Sequence, residues 1–198
     1  MKKPEDVSGD DRTAVGTLKQ PASRSASAMF QNGLSLLIVT FFLSACAYNL
    51  KPDTNPNDPQ SVTRAIRVER DEFKKITRYT GPNASDYPNV VFIRATKPDN
   101  EGISYQIYVR DQHDGGWRYY DSAYDSNGTR LDTTVIDREV LTCTGHCVYW
   151  EHLGLNVSRD YLEKNQQRGI RFKISGKGGE EVYFVPSAYI SAVLSAVK

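Results

Sequence analysis

The feature that most constrains this fold is a strict alternation of apolar and polar residues in short segments. The clearest segment places four apolar side chains on one side of an extended chain, namely Ile103, Tyr105, Ile107 and Val109. The same alternation recurs at 170–175. Because successive side chains of a strand point to opposite faces, this period predicts antiparallel strands with one buried face.

Further strands are predicted wherever Val, Ile, Tyr and Phe are frequent between turn residues. These segments are 73–79, 90–96, 117–124, 133–141, 148–155 and 181–185. Asn127-Gly128 predicts a hairpin with a type I′ turn, in which both residues have positive φ. The glycines of 175–179 also indicate a hairpin turn, since they lack the residue order of a phosphate-binding loop.

Two helices interrupt the strands. The first is predicted at 158–168, with Ser158 as its N-cap and Gly169 as its stop. The second, at 187–197, has an apolar stripe that we expect to cover the sheet, formed by Ile190, Val193, Leu194 and Val197. The sequence therefore predicts an α+β fold, predominantly antiparallel β, built as a sandwich or a strongly curved sheet with two short helices.

An apolar segment at 34–43 precedes Leu43-Ser44-Ala45-Cys46. About 20 residues are needed to span a bilayer, so ten suit the hydrophobic region of a secretory signal peptide. Leu43 to Cys46 resembles the lipobox of bacterial lipoproteins, the site cut by signal peptidase II. The resemblance implies that Cys46 becomes the first mature residue and carries diacylglycerol and a further acyl chain such as palmitate.

This resemblance implies a three-part organisation. Residues 1–45 are expected to form a cytoplasmic n-region and signal peptide that is removed, with the start at Met1 or Met29 left open. Residues 46–60, rich in Pro, Asn and Asp, are expected to form a flexible tether. Residues 61–198 are expected to form one β-rich periplasmic domain. Ala47, directly after the lipidated cysteine, favours the outer membrane by the same resemblance.

The charge balance argues against one class of partner. Residues 46–198 carry 20 basic and 20 acidic side chains, because five of the 25 basic and four of the 24 acidic residues precede them. A neutral chain lacks the basic surface expected of a nucleic-acid-binding protein. The predicted membrane contact is therefore the lipid at Cys46, and the expected partners are an envelope protein or peptidoglycan.

Lipidation of Cys46 would leave two cysteines, Cys143 and Cys147. A pair spaced by four residues around Gly145, in an oxidising periplasm, predicts a disulfide at the tip of a hairpin. The alternative is a metal site that adds His146 and His152 to the two cysteines. A single cysteine pair is a weak zinc pattern, so the disulfide is favoured and no cofactor is predicted.

A second group of polar residues suggests acid–base chemistry. Asp137 and Glu139 lie on one predicted strand, and Glu151 and His152 lie on the next. Neighbours in a strand point to opposite faces, so Glu151 and His152 share a cleft only if a bulge intervenes. Cross-strand charge pairing is the favoured interpretation, and no Gly-x-Ser-x-Gly nucleophile motif is present.

Aromatic residues supply the remaining candidates. Trp117, Tyr119, Tyr120 and Trp150 place rings on both faces of predicted strands, for the core or for stacking on sugars or a protein. Beyond the lipobox, the chain resembles small proteobacterial envelope lipoproteins without an assigned activity. We therefore expect a membrane-anchored, non-enzymatic binding or scaffolding domain. The alternatives are a cell-wall or glycan-directed hydrolase and a carbohydrate-binding module.

Overall fold

The computed structural model describes residues 54–198. The predicted signal segment, Cys46 and the tether up to residue 53 lie outside these residues. Within residues 54–198, no helix has both the length and the apolarity needed to cross a bilayer.

Nine strands form one sheet in which every neighbouring pair is antiparallel. In chain order they are β1 Arg67–Asp71, β2 Ile76–Thr80, β3 Val90–Pro98, β4 Ser104–Asp114, β5 Tyr120–Asp125, β6 Arg130–Thr144, β7 His146–Val157, β8 Ile170–Gly176 and β9 Gly179–Val185. Their order across the sheet is β1-β2-β3-β4-β7-β6-β5-β8-β9. The predicted α+β, mainly antiparallel β class is confirmed.

The two-sheet sandwich is not confirmed. The sheet is weakly joined in its middle, because β5 and β6 pair only through Ala123 with Leu131 and Tyr124 with Arg130. It also bends, so that Cα atoms of β9 come within 8 Å of β3 although five strands lie between them in the sheet.

Three helices accompany the sheet, where two were predicted. They are α1 Pro59–Ala65, α2 Arg159–Asn165 and α3 Ser187–Ala196. The additional helix, α1, includes the last two residues of the predicted tether; Asp58 caps it by accepting from the backbone N–H groups of Gln60 and Ser61. The predicted cap of α2 is confirmed, because the Ser158 hydroxyl accepts from the N–H of Tyr161.

One core lies between the inner face of the sheet and the helices. The predicted stripe of α3 is confirmed, since Ile190, Val193, Leu194 and Val197 are all buried. Tyr189 fixes this helix to the sheet, because its hydroxyl accepts from the N–H of Ile93 at 3.3 Å and donates to the Pro82 carbonyl at 2.6 Å. The prediction that α3 covers the sheet is therefore correct, and the apolar stripe of α3 fills the centre of the domain.

Two strand predictions were wrong in their bounds. The segment 73–79 is divided, because residues 72–75 form the turn between β1 and β2 and Phe73 is fully exposed there. The segment 117–124 begins too early, because Tyr119 has a φ of 53° and β5 starts only at Tyr120. In both places aromatic residues in a loop were interpreted as strand residues.

The turn type at Asn127-Gly128 was also wrong. Only Gly128 has a positive φ, of 81°, whereas a type I′ turn requires positive φ at Asn127 as well. The Asp125 carboxylate accepts from the N–H groups of Asn127 and Thr129, and the Asp125 N–H bonds to the Thr129 carbonyl. These contacts form a three-residue hairpin loop closed by a left-handed glycine.

Candidate functional site

The structure separates the residues proposed for acid–base chemistry. Trp150 and His152 lie on the outer face of β7, where they pair in register with Glu139 and Asp137 of β6. Glu151 points to the inner face and is 1 % exposed. Three of the four acid–base candidates therefore share a surface with Trp150, while Glu151 lies on the other side of the sheet.

Of this outer group, His152 has the ordinary pKa nearest neutrality, which suits a general base. Its Nδ1 lies 2.7 Å from the Tyr108 hydroxyl, and its Nε2 lies 3.5 Å from the Glu139 carboxylate. Burial lowers the pKa of His152, and the nearby Glu139 only partly opposes that effect, so the ring is neutral at pH 7. Nε2 is itself buried and makes no hydrogen bond among the described residues. Neither nitrogen faces an open cleft.

The aromatic rings of the outer face are already engaged. The guanidinium of Arg110 lies 4.3 Å from the centroid of the Trp150 ring, and the Trp150 indole N–H donates to Gln112. Tyr108 stacks on Phe92 with centroids 4.6 Å apart. Since sugars bind to open ring faces, this surface offers them little stacking area.

A polar row crosses four strands beside these rings. Arg94 donates to the Gln106 carbonyl oxygen at 2.9 Å, Gln106 donates to Asn156 at 2.7 Å, and Asn156 donates to Asp132 at 2.8 Å. The row passes over Gly154, where an added Cβ would lie 2.3 Å from the Gln106 side chain. Gly154 is therefore required for Gln106 to lie flat on the sheet.

Glu151 holds a loop to the inner face of the sheet. Its carboxylate accepts from the N–H groups of Arg118, Tyr119 and Tyr120 at 2.6, 2.9 and 3.1 Å. The Arg138 Nε donates to it at 3.1 Å. Residues 115–119, the loop between β4 and β5, are thus bound to β7 by one buried carboxylate.

The environment of Glu151 keeps it ionised. Burial raises its pKa, but the hydrogen bonds from Arg138 and the three backbone N–H groups lower it further, so the net direction is downward. The His113 Nε2 lies 3.2 Å from the carboxylate, although the geometry is not that of a hydrogen bond. A carboxylate so fully satisfied is a structural anion, because no lone pair remains to receive a substrate proton.

Asp111 is a second buried carboxylate on the same face. The Tyr120 hydroxyl donates to it at 2.9 Å, the Tyr183 hydroxyl also donates to it, and an Arg118 Nη lies 3.6 Å away. Burial raises the pKa of both tyrosines, so their hydroxyls remain protonated donors. The sequence analysis missed this cluster. The alternation that places Ile107 and Val109 on the inner face also places Asp111 and His113 there, if it is continued along β4.

The hairpin predicted at 175–179 is confirmed, because β8 and β9 pair up to Gly176 and Gly179. Glycines of this turn also allow the 115–119 loop to lie against it. The Gly178 N–H donates to the Arg118 carbonyl at 2.8 Å. A Cβ at Gly176 would lie 2.4 Å from the carbonyl oxygens of Arg118 and Tyr119, and one at Gly178 would lie 2.5 Å from that of Trp117. The loop and the turn thus share one close backbone contact.

The cysteine pair lies where the hairpin prediction placed it. Cys143 and Cys147 are directly opposite in the β6–β7 ladder, their Cα atoms are 4.0 Å apart, and their sulfur atoms are at bonding distance. His146 is exposed at the tip, while His152 lies six residues further along β7. Within residues 54–198 no three His, Cys, Asp or Glu side chains are grouped as metal ligands.

The other aromatic candidates also have intramolecular partners. Trp117 packs on Tyr149 with centroids 4.5 Å apart, and Arg138 lies over the Tyr119 ring at 5.4 Å. Tyr120 is buried. The structure therefore brings none of the proposed sugar-binding rings together on an open surface of the described residues.

Exposed apolar residues are instead concentrated on β6. From Asp132 to Thr144 this strand pairs with β7 on one side and with no described strand on the other, and we call this stretch the β6 edge. Its apolar side chains are unusually exposed: Val135 and Ile136 by 41 %, Val140 by 52 % and Leu141 by 44 %. The disulfide-capable pair lies at the end of the same edge.

Comparisons of the chain with protein-family models, with curated proteins and with solved structures found no match.

Proposed function

We propose that this chain is a lipid-anchored envelope lipoprotein whose β-rich domain is a non-enzymatic binding module for another envelope protein. The observation that carries the proposal is the β6 edge, where four exposed apolar side chains fall within residues 135–141. Exposed apolar patches on a stable domain are characteristic of protein-binding surfaces.

Two features of the β6 edge limit nonspecific association and so support its role as a specific binding surface. Register shifts near Ile136 and Leu141 interrupt the β6–β7 ladder, and such bulges bend a strand away from unwanted pairing. The charged residues Asp137 and Glu139 lie between the two apolar pairs, which limits aggregation through the edge. The surface thus combines apolar contacts with protection against nonspecific association.

The geometry around the acidic residues disfavours the hydrolase alternative. Glu151 is saturated with hydrogen bonds on the inner face, and His152 lies on the outer face with both nitrogens directed at neighbouring side chains or buried. A general acid and a general base must both reach the same substrate, and the body of the sheet separates Glu151 from His152. The carbohydrate-binding alternative is disfavoured because Trp117, Tyr119 and Trp150 each already contact a side chain of this chain, although Tyr119 remains 47 % exposed.

The test is site-specific photo-crosslinking in cells from position 140 or 141, followed by recovery from membranes. We expect one discrete protein adduct. When the crosslinking residue is at position 140, the additional substitution Leu141→Asp should abolish this adduct. Val68→Asp is the matched control, because Val68 is an exposed apolar residue on β1. The proposal is wrong if no adduct forms, or if both substitutions affect the adduct equally.

A further inference from the structure

A cleft of about 410 Å³ lies where the curved sheet approaches closure. Its walls come from three segments: the residues before α1, the loop between β2 and β3, and strand β9. We call it the β9 cleft. Its lining includes Pro56, Asp86, Asn89, Glu181, Val182 and Phe184. Its volume falls within the range of about 300–1,000 Å³ typical of ligand sites.

One wall of the β9 cleft is an unpaired strand edge. β9 is the last strand of the sheet, so its backbone pairs with β8 on one side and with no described strand on the other. Val182 and Phe184 are 43 % and 48 % exposed on this strand. The Val182 N–H donates weakly to the Glu181 side chain at 3.4 Å. The other donors and acceptors of this edge are available to an extended peptide, which can add as a further strand.

The charge of the lining selects among such peptides. Asp86 and Glu181 are the charged side chains that line the β9 cleft, and both are acidic. Glu181 is neutralised by Arg118, whose Nη lies 3.2 Å from its carboxylate. Asp86 is exposed and its side chain makes no hydrogen bond or ion pair within the described residues. The accessible charge of the cleft is therefore negative.

We propose that the β9 cleft binds an extended peptide segment that alternates apolar residues with Lys or Arg. The apolar side chains pack on Val182 and Phe184, the peptide backbone pairs with β9, and a cationic side chain lies next to Asp86. This site is separate from the β6 edge, which lies on a strand three positions away in the sheet order.

The probe is the pentapeptide Val-Lys-Val-Lys-Val with blocked ends and a neutral fluorophore, titrated by anisotropy into the full chain in detergent micelles. We expect saturable binding, at least tenfold weaker binding of Val-Glu-Val-Glu-Val, and about fivefold weaker binding of the lysine peptide to Asp86→Asn. Asp121→Asn is the matched control, because Asp121 is an exposed acid on β5, outside the cleft.

Hydrogen–deuterium exchange then locates the peptide. We expect new amide protection in β9 and none in residues 132–144. The proposal is overturned if the lysine peptide does not bind, if the glutamate peptide binds equally, if Asp86→Asn has no effect, or if protection appears away from β9. These failures leave the β6-edge proposal standing, because its test depends on Leu141 and not on Asp86.

Discussion

At the scale of single residues, the inner face of the sheet depends on charged groups that a hydrophobic core would normally exclude. Glu151 and Asp111 are each 1 % exposed, and each is surrounded by donors. Burying a charge is costly unless hydrogen bonds and an opposite charge compensate for it. The cost of removing one partner is therefore large.

We expect Glu151→Gln to lower the free energy of unfolding by about 2–3 kcal/mol at pH 7, because the amide nitrogen of Gln cannot accept the hydrogen bonds that the backbone N–H groups of residues 118–120 and Arg138 donate to the carboxylate. Urea denaturation measures this change. Glu180→Gln is the control, since Glu180 pairs with Lys173 at an exposed position. A loss as small as that of the control would show that Glu151 is dispensable to the fold.

The same residue predicts a pH dependence. The pKa of Glu151 is lowered in the folded chain from its ordinary value of 4.5. The unfolded chain therefore takes up the proton first, so the stabilisation is complete above about pH 4.5 and is lost as pH falls through the folded pKa. We expect the stability difference between wild type and Glu151→Gln to shrink over this acidic range. A difference that grows on acidification would contradict the assignment.

Gly154→Ala tests the polar row on the outer face. The new Cβ would displace Gln106 and break its bonds to Arg94 and Asn156, so we expect a loss of about 1–3 kcal/mol in thermal or urea unfolding. Gly102→Ala is the matched control, because a Cβ there meets no atom within 4 Å. Equal effects of the two substitutions would exclude a role for the row.

The polar contacts of the inner face were only partly predictable from the sequence. The alternation around Ile107 and Val109 correctly predicted an inner face, but that face was expected to be apolar. Glu151 binds backbone N–H groups of a loop more than 30 residues away in the sequence, and no local sequence pattern predicts such a contact. By contrast, the alternation of a strand correctly predicted that the adjacent residues Glu151 and His152 point to opposite faces.

At the scale of elements, strands with apolar alternation were predicted and strands without it were missed. β1 has the sequence Arg-Val-Glu-Arg-Asp and exposes most of its side chains, so it carries no period-2 signal. It is stabilised by pairing with β2 and by the ion pair of Arg70 with Asp99 at 2.6 Å. α1 was missed because Pro59 was assigned to a tether, whereas proline after a capping aspartate favours the first turn of a helix.

The β6–β7 hairpin carries the next prediction. We expect the purified domain to have no free thiol when denatured without reductant, and Cys143→Ser with Cys147→Ser to lower stability by about 2 kcal/mol, since the closed loop is short. Thiol alkylation with mass spectrometry and urea unfolding measure the two quantities. Two alkylated thiols, together with destabilisation by a chelator, would favour the metal alternative.

At the scale of the whole molecule, the proposed lipid anchor predicts that the position of the domain depends on Cys46. We expect Cys46→Ala to abolish both processing and labelling by a palmitate analogue, because cleavage and acylation require the thiol. The precursor should accumulate and the domain should remain folded. Cys143→Ser with Cys147→Ser is the control and should label normally; equal labelling of the Cys46 variant would contradict lipidation.

The placement of α3 has a consequence for the order in which this protein can form. Tyr189, Ile190 and Val193 occupy the centre of the core, yet they follow every strand in the chain. Until they are synthesised, the inner faces of strands such as β3 and β4 lack a large part of the apolar surface that covers them, and long-range pairings delay folding further. We therefore expect the core to form only once α3 is available, which would leave the chain unfolded for the export that the proposed lipid anchor requires.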